Sequence, residues 1–376
     1  VNDKSINLFL PTYSVDECLH EIRDCLERGW TGAGFKTLEF EQRWRDYTGL
    51  PNAHFLNSAT AGLHLALNIL KEAESWDEED EVITTPLTFV STNHAILYER
   101  LKPVFADVDE YLCLDPDDVQ RKITSRTRAV MFVGMGGNTG RLDAVEAICR
   151  QRGLRLIIDA AHMAGTRLHG ATPNGDAAVF SFHAVKPLPT ADAGMICFAD
   201  ARYDAIARKK SWLGISKDTY SRTLDEGPYR WRYDVESVGF KYHGNSIMAA
   251  IALVQLRHLD REIAYRRQVC SWYDQGLAGC NGIGLVPIAP GCTSARHLYQ
   301  IRSADRDAMI LSLNENGIFP GVHYLDNRAY RMYRRDADTC PRATEASRQL
   351  ISLPLHLRLT REDVDTVIDR VCSFVR

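Results

Sequence analysis

Apolar residues in this chain follow two rhythms, and the switches between them outline the fold. Short runs at 53–56 (AHFL), up to Thr85, at 103–109 (PVFADVD), 129–133 (AVMFV), 155–159 (RLIID) and 177–182 (AAVFSF) lack the polar alternation of a half-wet strand. They read as strands buried on both faces, the pattern of a parallel sheet covered by helices. Elsewhere apolar positions recur at helical spacing. Residues 15–29, VDECLHEIRDCLERG, set Val15, Leu19, Ile22 and Leu26 on one helical face, with Gly29 as the stop. A second helix follows the turn Asn57, Ser58, Ala59, Thr60. A third follows Pro86 and is capped at or near Thr88, and another begins over Asp115 to Val119. Within 239–263, Ile247, Ile251, Val254 and Leu259 mark a long amphipathic helix.

Strands alternating with helices from about 53 to 198 predict an α/β fold whose large domain is a mainly parallel sheet flanked by helices, with right-handed crossovers. The last hundred residues or so turn to shorter strands and helices, predicting a smaller C-terminal α/β domain. The division expected is 1–240 for the large domain with its N-terminal helix, and 241–376 for the linking helix and small domain.

Two strand ends carry the candidate chemistry. Asp159 closes RLIID and Lys186 lies just beyond AAVFSF. Ligands of open α/β sheets bind outside the carboxyl ends of the strands, so both side chains can face one crevice. A lysine among apolar groups loses its proton and becomes an amine nucleophile toward a carbonyl, while an aspartate can keep a pyridine nitrogen protonated. That pair is the minimum equipment for pyridoxal phosphate. The small-residue turn at 57–60 opens a helix and offers backbone N–H groups and the positive end of the helix dipole to a phosphate. Each feature alone is ordinary, since strand-end Asp and Lys usually cap or meet solvent, and such a turn is usually a plain N-cap.

Their order along the chain resembles the DegT/DnrJ/EryC1/StrS family of sugar aminotransferases, fold type I pyridoxal phosphate enzymes. The resemblance runs from Trp30 to His356. It takes in Trp30, Thr31, Gly32, Gly34 and the pair Phe40-Glu41, then Ala59 and Thr60, then Asp159-Ala160-Ala161-His162, Gly175-Asp176, and Ser181-Phe182 with Lys186. It continues through GFKYHGNSIMAAIALVQL from 239, HLYQIR at 297–302, GIFPGVHY at 317–324 and LPLH at 353–356. Two places depart from the family pattern. Ala191-Asp192-Ala193-Gly194 stands where G-E-G-G is usual, and Gly134 and Gly136 replace the histidine and tyrosine of V-H-L-Y-G.

The resemblance implies roles. Lys186 is the covalent anchor and proton shuttle, Asp159 the partner of the ring nitrogen, and His162 a contact from the 3-hydroxyl side. Ala59, Thr60 and Ser181 hold the phosphate, and Phe89 stacks on the ring. Lys241 reaches the phosphate of the neighbouring subunit, which implies a homodimer with shared sites. Trp30, His323 and Tyr324 lie toward the substrate. The reaction implied moves an amino group from an amino acid, L-glutamate by expectation, to a keto sugar, most readily a nucleotide-linked keto-deoxysugar. Residues 200–236 are charged and tryptophan-bearing. In the family such a segment covers the site or the dimer interface, and its Arg, Lys and aromatics suit a diphosphate and a base.

Composition narrows the field. At 376 residues with 45% hydrophobic and 25% charged residues, the chain has the make-up of a soluble enzyme large enough for two domains. A net charge of -4 gives no basic footprint for nucleic acid. No apolar run reaches membrane-spanning length and no signal peptide opens the chain, so no membrane partner and a cytoplasmic location are expected. Ten cysteines include no C-x-x-C pair and read as reduced core thiols. Twelve histidines form no H-E-x-x-H or zinc-spaced cluster, which removes a metal hydrolase, and the absence of G-x-S-x-G removes a serine hydrolase of that type. The alternatives within reach are transamination of a non-nucleotide keto sugar or a cyclitol, the family's sugar dehydratases, and a pyridoxal-binding regulator. Dehydratases replace the anchoring lysine by histidine, whereas this chain has Lys186. Motifs beginning at Trp30 leave no room before them for a regulator's DNA-binding module.

Overall fold

A computed structural model describes residues 5–217, 220, 232–333 and 339–375. Its centre is a seven-stranded sheet in the order His54–Leu56, Gly194–Phe198, Ala177–Ser181, Arg155–Asp159, Thr127–Val133, Glu81–Thr84, Lys102–Phe105. The continuous apolar runs have a direct cause. Successive residues feed opposite cores: Val130, Phe132, Ile158 and Phe180 enter one, and Ala129, Met131, Ile157 and Val179 the other. With helices on both faces, no strand position is left to be polar by alternation.

Six strands run parallel, and Gly194–Phe198 runs antiparallel to both its neighbours. The chain leaves Ser181 and returns at Gly194 through a short loop, which only an antiparallel neighbour permits. Lys186 rides on that loop. Hydrogen bonds from Phe182 N to Ala193 O, Thr190 N to Phe182 O and Ala184 N to Ala191 O tie its two arms together. The unusual Ala191-Asp192-Ala193 stretch is therefore part of the brace that carries the lysine.

The helix Ser246–Leu277, 32 residues and about 48 Å long, runs from the large sheet to a three-stranded antiparallel sheet of Ile283–Leu285, Tyr299–Ser303 and Leu350–Leu353. A third core forms there around Tyr273, Ile301, Leu313 and Val367. Ile6–Asn7 pairs with Ile318–Phe319, so the N-terminal strand joins the C-terminal part of the molecule.

The structure extends one expectation and corrects another. The helix Val15–Glu27 forms, but Val15, Leu19 and Leu26 lie 57 to 61% exposed, and the buried residues are Cys18 and Cys25. Helical spacing identified the aliphatic stripe; the side that packs on the long helix is the small cysteine side, with Cys25 Sγ 3.6 Å from Ser246 O. The cysteines are also not all thiols. Cys280 and Cys372 form a disulfide between the end of the long helix and the last helix, Arg361–Phe374. Pairing across 92 residues leaves no local spacing signal. Part of the excursion expected over 200–236, namely 218–219 and 221–231, lies outside the described residues.

A disulfide closing so long a loop contributes up to about 4–5 kcal/mol in the chain-entropy account. The protein denatured without reductant is therefore expected to expose eight thiols and, after reduction, ten. Ten thiols before reduction would mean that the bridge does not form.

Candidate active site

The carboxyl ends of Arg155–Asp159 and Ala177–Ser181 open into a cavity of about 370 Å³. Of the eleven residues with expected site roles, the structure brings nine to its wall: Ala59, Thr60, Phe89, Asp159, His162, Ser181, Lys186, His323 and Tyr324. Trp30 and Lys241 are elsewhere. Trp30 donates through Nε1 to Ala33 O at 2.8 Å and packs edge-on against Tyr220. Lys241 is exposed, its ammonium 3.3 Å above the Trp212 ring.

Asp159 is 5% exposed. Its Oδ2 accepts from Thr92 Oγ1 at 2.7 Å and its Oδ1 from Ala161 N at 3.1 Å. Burial pushes the carboxyl above its ordinary range, against the opposing pull of those two hydrogen bonds and of the Lys186 charge. Thr92 comes from the helix Val90–Tyr98 and in turn shares a 2.9 Å hydrogen bond with Thr88. Lys186 is desolvated in the opposite sense. Burial lowers its ammonium to about 8, with the Asp159 charge acting against the shift.

Three histidines adjoin the lysine, and all are held neutral. Burial, with repulsion from Lys186 next, drives His162 and His297 far below the usual imidazole range and His323 to about 4. His162 Nδ1 accepts the Gly136 N–H at 3.1 Å, so the neutral ring carries its proton on Nε2, which faces the Tyr324 hydroxyl at 3.2 Å. His323 pairs through Nδ1 with Ser352 Oγ at 2.9 Å, and Gln300 Nε2 donates to its carbonyl at 2.7 Å. The glycine departures fit this arrangement. The Met163 side chain fills the place a Gly134 side chain would take, and Gly136, at φ 62°, gives His162 its N–H and accepts from His297 N at 3.1 Å.

At the opposite end of the cavity the helix Ala59–Ala73 begins, with Ser58 capping Ala61 N at 3.1 Å. The first turn of a helix leaves N–H groups without intrahelical partners. Gly194 passes so close to this turn that a Cβ would sit 2.6 Å from Ala59 N. The last glycine of the departed motif is thus kept where backbone meets backbone. Behind the turn, buried Glu41 accepts from Phe55 N at 2.8 Å, pairs with His54 Nδ1 at 3.1 Å and bridges to Arg208 at 2.9 Å. Ser211 Oγ completes a Ser–His–Glu chain at 2.7 Å from His54 Nε2, but Ser211 is wholly buried, and the chain braces the fold.

Sequence reasoning gave no role to Phe9, Ser91, Thr92, His183 or His297, though Thr92 holds Asp159 and the others line the cavity. His297 stood in a matched motif. Phe9 had no signal, because it comes from a distant segment through tertiary packing. Among the described residues no cluster of His, Cys, Asp and Glu could hold a metal, and no helix is long and apolar enough to cross a membrane.

The amine of Lys186 is expected to react with a small acylating reagent at a rate that rises with pH around a midpoint near 8, as followed by peptide mass. A midpoint near the ordinary lysine value would contradict the burial argument.

Comparison with known proteins places these features in context. Residues 13–372 match the model of the DegT/DnrJ/EryC1/StrS aminotransferase family. The dTDP-4-dehydro-2,3,6-trideoxy-D-glucose 4-aminotransferase of Saccharopolyspora spinosa is 34% identical, over 97% of this chain and 95% of its own. The solved structure of the aminotransferase TlmJ from Streptoalloteichus hindustanus superposes with a TM-score of 0.91 at 32% identity, covering 98% of both chains. That of the putative sugar aminotransferase Spr1654 from Streptococcus pneumoniae, in its PLP form, gives 0.90 at 27% identity over 99% of this chain and 100% of that one.

Proposed function

The chain belongs to the DegT/DnrJ/EryC1/StrS aminotransferase family and is a sugar-transaminating enzyme, and from that premise we propose that it moves the amino group of L-glutamate to a nucleotide-linked keto-deoxysugar with pyridoxal phosphate as cofactor. The observation that carries this reading is the meeting of a buried carboxylate, a deprotonatable lysine and a helix N-terminus in one cavity. The donor set fits the cofactor. Asp159 is a desolvated carboxylate pushed up by burial, a state that an N–H⁺ group beside it would relieve. The turn at Ala59 and Thr60, with Ser181 beside it, suits a phosphate dianion. Phe89, 57% exposed at the rim, offers an aromatic face to a ring.

When bound, pyridoxal phosphate supplies an aldehyde that condenses with amines and a ring that takes up the electron pair of a broken Cα–H bond. The protein's part is to hold, orient and move protons. Asp159 keeps the ring nitrogen protonated, and Thr92 and Ala161 N–H fix the carboxylate in place. Neutral His162, oriented by Gly136 and Tyr324, would meet the ring from its 3-hydroxyl side. Lys186, whose ammonium burial brings down to about 8, would take the proton from the donor's Cα and deliver it to the cofactor's former aldehyde carbon, across the intervening nitrogen, and would run the transfer in reverse for the sugar. His323 and Tyr324 border the substrate space. Retention of Lys186 favours transamination over the dehydration seen where histidine replaces it.

The enzyme would act as a homodimer. The exposed Val15, Leu19 and Leu26 stripe supports an apolar contact surface, and Lys241, free of its own cavity, is available to a phosphate in the neighbouring subunit.

Lys186→Ala should lower formation of 2-oxoglutarate from glutamate in the presence of a keto sugar by about 10³-fold or more. Full turnover in that variant would remove the assignment. Mixed with Lys241→Ala, it should regain activity if sites are shared between chains, and hybrids as inactive as their parents would reject sharing.

A further inference from the structure

The segment between the N-terminal strand and the helix Val15–Glu27 forms a strap across the molecule. Ile6 and Asn7 pair with Ile318 and Phe319, and Leu8 O accepts Leu355 N at 3.0 Å. Thr12 O then accepts Gln255 Nε2 at 3.1 Å, and Tyr13 Oη donates to Thr190 O at 2.7 Å. Between Ile6 and Tyr13 the chain thus touches the C-terminal part of the molecule, the long helix Ser246–Leu277 and the loop that carries Lys186. Thr190 is wholly buried, and its N–H and hydroxyl both donate to Phe182 O at 2.7 Å. The Tyr13 hydroxyl answers the carbonyl of the same residue, so strap and loop are joined at a point the loop itself holds fixed.

This strap closes the space behind the lysine. Residues 9–12 face Val185 and Lys186 across a second, small cavity of about 10 Å³, room for about one water molecule. Lys186 lines the large cavity as well, so it stands between an open front and a nearly filled rear. Residues 8–14 are each half-buried, which leaves one thickness of chain between the lysine loop and solvent on this side. The ionisable groups that meet Lys186 in the small cavity are Glu262, Arg266 and His356. Burial raises Glu262, lowers Arg266 and lowers His356 to about 4, each against its charged form, and it raises the Tyr13 phenol likewise. Across the large cavity Asp159, His162, His297, His323 and Tyr324 are moved by burial in the same sense, and Asp192 and His183 complete that side.

The front of the site has to admit substrate, so lasting exclusion of water from Lys186 must come from the rear. We infer that residues 8–13 are a water seal behind Lys186, latched by the Tyr13 to Thr190 hydrogen bond, with Tyr13 and Pro11 as positioning residues for the lysine. A group that takes and gives a proton near neutral pH must be kept from the full hydration that would hold it as an ammonium ion. The seal acts on the amine itself and is the same whichever keto compound is the substrate.

The test reads the pH midpoint of Lys186 acylation, by peptide mass, on the full chain without bound cofactor. The native midpoint is expected near 8. Tyr13→Phe removes only the latching hydroxyl, and Pro11→Gly frees the strap backbone. In each, the midpoint should rise by about half a pH unit or more toward the ordinary lysine value, a fall of about threefold in reactive amine at neutral pH. Tyr265→Phe removes a hydrogen bond of the same kind, to Leu359 O, away from the strap and should leave the midpoint near 8. A Tyr13→Phe midpoint that stays near 8 would overturn the latch, and an unmoved Pro11→Gly midpoint, or an equal rise in Tyr265→Phe, would overturn the seal. The readout needs no turnover, so its failure is distinct from failure of the transaminase reading.

Discussion

The structure depends on keeping two ionisable groups of opposite sign desolvated in one cavity without letting them neutralise each other. Asp159 and Lys186 stand at the ends of neighbouring strands, each shifted by burial toward its uncharged form and each drawn back by the other's charge. A direct, fully formed salt bridge would make the lysine a poor nucleophile and leave the carboxylate occupied. The fold prevents this by giving the carboxylate other partners, Thr92 and the Ala161 N–H. The histidines of the adjacent wall are held neutral, so that wall adds no positive charge beside the lysine.

The rest of the architecture follows from where such a site can exist. Both faces of the sheet are covered, so the strand ends are the place where polar side chains can gather without breaking a core. The reversal of Gly194–Phe198 lets the lysine loop begin and end at one rim, and Gly194 brings that rim against the opening turn of Ala59–Ala73. Aromatic contacts from Phe40 to Phe55 and Phe182 lock the two sides of this rim, while Glu41 ties the same strand to Arg208. The site is thus built on strand ends and a helix start, elements stiff enough to hold side chains at fixed spacing.

Legibility from sequence tracked how local each feature is. Asp159, His162, Ser181 and Lys186 lie in one stretch whose strands were visible as unbroken apolar runs, and they converge as expected. Ala59, Thr60 and Phe89 also reach the cavity, because each begins a helix directly after a strand. Thr92 and Phe9 were silent, since a hydroxyl on an apolar helix and a phenylalanine near the chain start become site residues only through contacts across the fold. The Val15–Glu27 helix was legible but its buried side was not, because periodicity reports which residues share a face and says nothing of which face the neighbours cover. The Cys280–Cys372 bridge was invisible for the same reason of distance. Trp30 and Lys241, carried by resemblance alone, stand outside the cavity within a single chain.

The central claim is that an amine at position 186 is the group that joins the cofactor. Borohydride reduction of the protein after incubation with pyridoxal phosphate, followed by peptide mapping, tests it most directly. The account predicts one stoichiometric adduct on the peptide carrying Lys186 and none on that carrying Lys241. No adduct, or a stoichiometric one on another lysine, would contradict it.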